Sequence, residues 1–432
     1  MKTLLRKTLT SILALEASMV LRKYKPRIIA VTGSVGKTST KDAIYAVVST
    51  RYHARKNEKS FNSEIGVPLT ILGCPNGWSS PKVWFYNVLR GARLIITRRP
   101  YPEYLVLEVG ADHPGDIASI TRWMKPDIAV LTRMSTVPVH VEYFKGPEEV
   151  LAEKMRLAEA LSRTGTIVVN ADDELFMREV AKLNTRRITF GTSREADVHI
   201  DEVSIAYTDG PHRLPRGEKM VLTTGKDVSA IEVEGIVGGH LAVPFAAARA
   251  VALTLGMETV DWTKALEEYE SPRGRMRLIG GLAGSILIDD SYNASPIAVR
   301  EALHTLDEVT TKGRKIAVLG DMKELGDYSK AEHEKVGEYA SRVAHTVIAV
   351  GEASHGIAES ALQHGMTADR VHWVADSMSA AGYLRDFVRV GDIVLIKGSQ
   401  SIRMERVTKA LMERGLKAED MLVRQEEEWQ KR

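Results

Sequence analysis

The chain has 432 residues, 44% of them hydrophobic and 27% charged, which gives room for two or three globular domains. Its 59 basic and 56 acidic residues leave a formal charge of +3, so no overall signature of nucleic-acid binding exists and any basic surface must be local. Cys74 is the only cysteine, which excludes an intrachain disulfide and a cysteine-built zinc site and is compatible with a reducing cytoplasm.

Residues 1–25 combine basic ends with an apolar stripe of Leu5, Leu9, Ile12, Met19 and Val20, interrupted by Glu16. The run is too short to span a bilayer comfortably and no small-residue cleavage site follows it. It reads as an amphipathic helix, packed on protein ahead of lying on a membrane, with either a peripheral membrane or a protein partner left open. Next comes a strand, RIIAV at Arg27–Val31, which feeds the glycine-rich TGSVGKTST at Thr32–Thr40 and an amphipathic helical run at Lys41–Val48. This is how a strand presents helix N-terminal amides to phosphates. A strict Walker A loop would have glycine where Val31 stands, so the match is to a shortened form. Within it Gly33 and Gly36 allow close backbone approach, Lys37 supplies charge for the outer phosphates and Thr38 offers a hydroxyl to magnesium. The bland alternative is a glycine turn before an ordinary helix.

Apolar runs at Tyr104–Val109, Ile128–Leu131 and Thr166–Val169 alternate with helical patterns at Gly115–Met124 and Pro147–Leu161, the rhythm of a parallel sheet flanked by helices. The first run ends in Glu108 just before a glycine, and a carboxylate at a strand end beside a phosphate loop is placed to hold magnesium. Residues 186–235 read as short alternating strands forming a small antiparallel sheet, followed by an alanine-rich helix at Ala242–Leu255. The turn-forming SPRGR at Ser271–Arg275 is a hinge, after which SILIDD, KIAVLG, TVIAV, RVHWV and DIVLIKG make a second doubly wound series. The expected organisation is therefore α/β throughout: an N-terminal helix at 1–26, a central domain at 27–272 and a C-terminal domain at 273–432. The closing EEEWQKR reads as a solvated helix end.

Three loop clusters, around His140, at Ile288–Pro296 and at Leu319–Gly326, are individually weak signals, because lone histidines and Asn- or Asp-rich turns are common structural devices. Taken in order with TGSVGKTSTKDAI, FNSEIGVPLTIL, LEVGADHPGDI, VHVEYF, EKMRLAEAL, VNADDE, IDDSYNASP, LGDMKELG and VLIKGSQSIRME, they resemble the Mur ligases over roughly residues 27–410. That resemblance implies a central P-loop ATPase domain with a parallel sheet plus the small antiparallel one, and a C-terminal Rossmann-like domain that closes on it. It implies a cytoplasmic ATP-dependent carboxylate–amine ligase that works through an acyl phosphate with magnesium. Within the family it points to the branch that adds D-alanyl-D-alanine to a UDP-muramyl tripeptide.

The resemblance also carries roles. Gly33, Ser34, Gly36, Lys37, Thr38 and Ser39 would form the ATP loop, with Arg275, Asp290 and Asn293 as further nucleotide contacts. Thr38 and Glu108 would hold one magnesium ion, and His140 with a carbamylated Lys154 a second, making Lys37, His140 and Lys154 the catalytic group. The alternative for Lys154 is an ordinary charged residue on its helix. Asn62, Ser63, Lys397, Ser399 and Arg403 would face the substrates.

Three departures accompany the likeness. Full-length relatives carry a UDP-gripping domain before the ATP loop, whereas about thirty residues precede Thr32 here, too few to form it. Leu241 and Pro244 replace asparagines near the adenine, and Gln400-Ser401 stands where Arg-Gly is usual. No Asp-Asn-Pro-Arg motif is present, which argues against the diaminopimelate- or lysine-adding branch. Two other readings stay open: a related ligase with another acceptor, of folylpolyglutamate or cyanophycin type, and a non-catalytic nucleotide-binding scaffold. Retention of Lys37, Thr38, Glu108, His140 and Lys154 together speaks against the scaffold.

Overall fold

The computed structural model describes residues 2–430 apart from 59, 60, 79, 139 and 211; the side chains of 2–7, 259–261, 428 and 430 also lie outside it, and with them the stripe residue Leu5. The chain opens with α1 (Lys2–Tyr24), β1 (Arg27–Thr32), α2 (Lys37–Ser49), β2 (Ala54–Lys56), α3 (Gly66–Leu72), α4 (Pro81–Ile96) and β3 (Tyr104–Glu108). It continues through α5 (Asp116–Thr121), β4 (Ile128–Leu131), α6 (Pro147–Glu159), β5 (Thr166–Asn170), α7 (Glu174–Val180) and β6 (Arg186–Gly191). The long strands β7 (Val198–Tyr207), β8 (Pro215–Thr224) and β9 (Asp227–Glu234) follow, then α8 (Ala242–Leu255) and α9 (Thr259–Glu267).

These strands form one nine-stranded sheet in the order β2-β3-β1-β4-β5-β6-β7-β8-β9. The antiparallel strands expected at 186–235 do not stand apart: β6 and β7 continue the parallel ladder, and only β7, β8 and β9 pair antiparallel at its edge. The central strands are buried throughout apart from Arg27 at the start of β1, because helices cover both faces and each face needs its own apolar layer. Ile29, Val31, Val106 and Val130 point into one core with α2 and α8, while Ile28, Ala30, Leu105 and Leu107 point into the other with α1, α3 and α6.

The second half builds β10 (Arg277–Gly280), β11 (Ile286–Asp290), α10 (Pro296–Glu308), β12 (Lys315–Gly320), α11 (Ser329–Val343), β13 (Thr346–Val350) and α12 (His355–Gln363). After β14 (Val371–Val374), α13 (Ser377–Phe387), β15 (Ile393–Lys397), α14 (Glu405–Leu411) and α15 (Ala418–Met421), the described chain ends in the short α16 (Glu427–Gln430). Its six strands run in the order β10-β11-β15-β12-β13-β14, parallel except for β10. Helix starts follow local chemistry: Ser295 caps α10 by accepting from Ala298 N–H, with Pro296 at the first helical position, where no donor is lost.

The N-terminal helix departs from its expected stripe. Leu13, Glu16, Ala17, Ser18 and Val20 are its buried residues among those whose side chains are described, while Ile12 and Met19 face outward. It packs on α3 and α4, and Lys23 Nζ donates to the carbonyls of Leu94, Ile95 and Thr97, satisfying the C-terminal end of α4. Among the described residues no helix is long and apolar enough to cross a membrane.

Candidate active site

Strand order reverses at β1, which lies between β3 and β4, so the loop after β1 emerges at a crevice beyond the carboxyl ends of parallel strands. The loop is pinned there: Ser34 N–H donates to Arg133 O at 2.7 Å and Thr132 Oγ1 to Val35 O at 2.7 Å. Gly33 sits at φ +151° with room for no side chain, since a Cβ would come 2.0 Å from Thr132 Oγ1. Gly36 caps α2 in the left-handed region at φ 81°, and the helix starts at Lys37, four residues before its apolar pattern. The first-turn amides of α2 therefore open onto the loop.

A cavity of about 720 Å³ lies between this loop and the ends of the second sheet. On its first wall Thr38 Oγ1 donates to Glu108 Oε2 at 2.8 Å and Asn62 Nδ2 to Glu108 Oε1 at 3.0 Å. Glu108 is buried at the end of β3 and is fixed from behind by Asn57, whose Oδ1 accepts from Glu108 N–H at 2.6 Å and whose Nδ2 donates to Glu108 O at 3.0 Å. Lys37 Nζ donates to Ser34 O at 3.3 Å, and desolvation holds its pKa below the ordinary lysine value despite the nearby Glu108 carboxylate. Lys154, on α6, is 4% exposed and donates to Gly33 O at 3.0 Å. Burial, reinforced by the charge of Lys37, pulls its pKa down to about 7.

The second wall comes from loops after β11, β12 and β15. Ser399 Oγ accepts from Lys323 N–H at 2.9 Å and Ser399 N–H donates to Asp321 O at 2.9 Å, so the KGS loop holds the turn of the GDMKELG segment. From that turn Glu324 reaches across the cleft, with Oε2 2.8 Å from His140 Nδ1, while His140 Nε2 stands 3.3 Å from Asp112 Oδ1. The His140 contact pulls the Glu324 pKa below its ordinary value. Arg275 lies over the Tyr292 ring at 4.1 Å and lines the same space.

Of the residues singled out from sequence, Ser34, Gly36, Lys37, Thr38, Ser39, Asn62, Ser63, Glu108, His140, Lys154, Arg275, Asn293, Ser399 and Arg403 all line this cavity. Gly33 lies just behind the lining as the acceptor for Lys154. Asp290 and Lys397 are buried and do not line it: they sit opposite each other on β11 and β15, where Lys397 Nζ donates to Asp290 Oδ2 and, at 3.1 Å, to Asn293 O. Their geometry supports the Asn293 turn rather than direct ligand contact. Leu241 and Pro244 are also buried away from it, with Pro244 in the first turn of α8, where proline costs no helix bond.

Several lining residues escaped the sequence reading. Asp112, Tyr292, Lys323 and Glu324 belonged to quoted segments, but nothing in their spacing told inward from outward. Trp429 corrects the solvated end expected for EEEWQKR: its carbonyl accepts from Arg403 Nη1 at 2.8 Å, its ring stands 5.4 Å from that guanidinium, and it closes one side of the cavity.

Among the described residues no group of three or more His, Cys, Asp and Glu side chains is arranged to hold a metal. The donor set beside the loop, one hydroxyl and one carboxylate, suits magnesium, which keeps waters and takes phosphate oxygens alongside one or two protein ligands.

Comparison with known proteins agrees with this geometry. Residues 31–81 and 89–252 match the Mur ligase middle domain, and residues 274–400 match the Mur ligase, glutamate ligase domain. The UDP-N-acetylmuramoyl-tripeptide–D-alanyl-D-alanine ligase of Bacillus subtilis is 30% identical over 407 residues, covering 94% of this chain and 80% of the relative. The MurF ligase of Thermotoga maritima, solved in complex with ADP, superposes with a TM-score of 0.76 at 27% identity, covering 93% of this chain and 83% of that one. MurF from Acinetobacter baumannii gives 0.75 at 26% identity, covering 94% and 80%. With two Mur ligase domain models matched in order along it and a relative 30% identical over 80% of that relative's length, the chain belongs to the Mur ligase family.

Proposed function

We propose that this protein is an ATP-dependent amide-forming ligase of peptidoglycan precursor synthesis, joining UDP-N-acetylmuramoyl-tripeptide to D-alanyl-D-alanine with release of ADP and phosphate. The observation that carries the reading is the meeting of Lys37, Thr38, Glu108 and Lys154 on one wall of a cleft whose other wall is the KGS loop and the GDMKELG turn. A cleft between two α/β units, cationic where a triphosphate would lie, suits a reaction in which two anions must be brought together.

In this reading the substrate carboxylate takes the γ-phosphoryl group of ATP, the dipeptide amine attacks the acyl carbon, and phosphate leaves. Lys37 and the α2 amides hold the outer phosphates, and Arg275 neutralises charge from the opposite side. Magnesium, when bound, supplies charge neutralisation on the phosphates; Thr38 and Glu108 would hold the first ion, His140 and Lys154 the second. We assign Lys154 a carbamate. An amine with a pKa near 7 is substantially unprotonated at neutral pH, and CO2 addition turns a cation into a carboxylate-like ligand. Residues 27–272 and 273–432 act as the nucleotide-binding and amine-binding halves. The UDP-linked substrate sets the reaction in the cytoplasm, with the N-terminal helix available for a peripheral membrane or protein contact.

The test is phosphate release from ATP and magnesium with both substrates against either alone, with the product mass measured. Release that requires both, with an amide of the summed mass, is the expected result. ATP binding without stimulation overturns the substrate assignment and turns the search to other acceptors.

A further inference from the structure

Eight of the eighteen large hydrophobic side chains that are exposed among the described residues belong to α1, to α4 or to Trp78 just before α4. On α1 they include Leu15 and Met19; on α4 they include Phe85, Tyr86, Leu89 and Ile96, the last 81% exposed. The two helices run side by side in the same direction, since Glu16 meets Gly91 and Lys23 meets the α4 C-terminus. Each buries one stripe, Leu13, Ala17 and Val20 on α1 and Asn87 and Gly91 on α4, and turns the opposite one outward. The outward residues of α4 thus make an apolar, aromatic-rich stripe of the kind monomeric soluble proteins seldom expose, and α1, packed beside α4, adds exposed Ile12, Leu15 and Met19.

Its charge is as uneven as its polarity. Residues 81–99 hold five basic side chains and no acidic one, and residues 2–25 hold six basic side chains with the buried Glu16 as their sole acid, in a chain of formal charge +3. Exposed Lys82, Arg90 and Arg93 flank the apolar stripe of α4, and Arg98 and Arg99 follow its end. The face also lies outside the common family frame: the middle-domain match begins at residue 31 and breaks at 82–88, the part of α4 that holds Phe85 and Tyr86. Neither helix contributes a side chain to the ligase cavity.

We infer that α1 and α4 together form a docking face for an anionic lipid bilayer, with Phe85, Leu89 and Ile96 entering the headgroup boundary and the flanking basic side chains meeting lipid phosphates. A cationic helix with a narrow apolar, aromatic stripe that cannot span a membrane lies in the interfacial plane. Net positive charge selects an anionic bilayer over a neutral one and over an apolar protein groove.

The test uses the full chain and flotation with vesicles of phosphatidylcholine plus phosphatidylglycerol, against phosphatidylcholine alone. Binding to the mixed vesicles that weakens with added salt is expected. The pair Arg90→Glu and Arg93→Glu should lower that partition at least about 25-fold, about fivefold for each cation lost. The pair Phe85→Ser and Leu89→Ser should abolish it. Ligase turnover in solution, measured in parallel, reports that the variants fold and should be unchanged. Equal partition to both vesicle types, no partition, or a dimer in light scattering that Phe85→Ser and Leu89→Ser dissociates overturns the inference.

Discussion

Lys154 Nζ rests on the carbonyl of Gly33 at 3.0 Å, so the lysine of α6 is tied directly to the phosphate loop. Its folded pKa, about 7, is far below that of an unfolded lysine. Between those two values the unfolded chain binds a proton that the native chain does not, so stability rises with pH from about 7 toward about 10. Replacing Lys154 with Met should therefore stabilise the protein by a few kcal/mol at pH 6 and progressively less above neutrality, while abolishing ligation. Denaturant melts at pH 6 and pH 9 read the first effect. Carbon-13 NMR of wild-type protein equilibrated with labelled bicarbonate should show a carbamate resonance that the variant lacks.

Lys37→Ala should reduce kcat by about 10²–10³ with little change in melting temperature, because its work is done on phosphate charge rather than on packing. Glu108→Gln keeps one acceptor oxygen for Asn62 and turns the Thr38 hydroxyl from donor to acceptor, while removing the carboxylate. It should raise the magnesium concentration needed for half-maximal activity, read by titrating turnover with the metal.

Asn57→Ala should destabilise the fold by about 1–3 kcal/mol, since it leaves the buried Glu108 N–H without its acceptor. Turnover should fall as well, with Asn57→Asp recovering part of the acceptor but not the amide donor to Phe61 O. Urea unfolding separates the two effects.

Glu16 is buried against α4 with Oε2 lacking a hydrogen-bond partner, and burial pushes its pKa up to about 7. Between about 4.5 and 7 the native state holds a proton that the unfolded chain releases, so this group lowers stability as pH rises through that window. Glu16→Gln should stabilise at pH 8 by a few kcal/mol and have almost no effect at pH 4.5. Paired melts at the two pH values check the sign.

The sequence was most informative where one period served one environment. The runs that became β1, β3, β4 and β5 are apolar through their interiors because both faces of a parallel strand are covered, and the loop after β1 followed from its glycines. β6 misled because two parallel neighbours and an antiparallel pair make similar short patterns, and only pairing tells them apart. α4 was not recognised as a helix, and the expected α1 stripe mixed the two faces: Val20 is buried and Leu9 packs on the core, whereas Ile12 and Met19 face outward. In both, apolar residues face outward as well as inward, so periodicity does not mark the buried side. Most of the site could be named by motif, but the retreat of Asp290 and Lys397 behind Asn293 depends on strand register. The approach of Trp429 to Arg403 depends on a contact across 26 positions.

The cations of the two cavity walls are held differently. On the second-sheet side Lys323 pairs with Asp321, Arg403 with Glu405 and, behind them, Lys397 with Asp290. Lys37 rests instead on the carbonyl of Ser34, which polarises it but does not cancel its charge. A phosphate arriving at the β1 loop therefore displaces only a peptide carbonyl from Lys37, whereas one arriving at Lys323 or Arg403 must first break an ion pair.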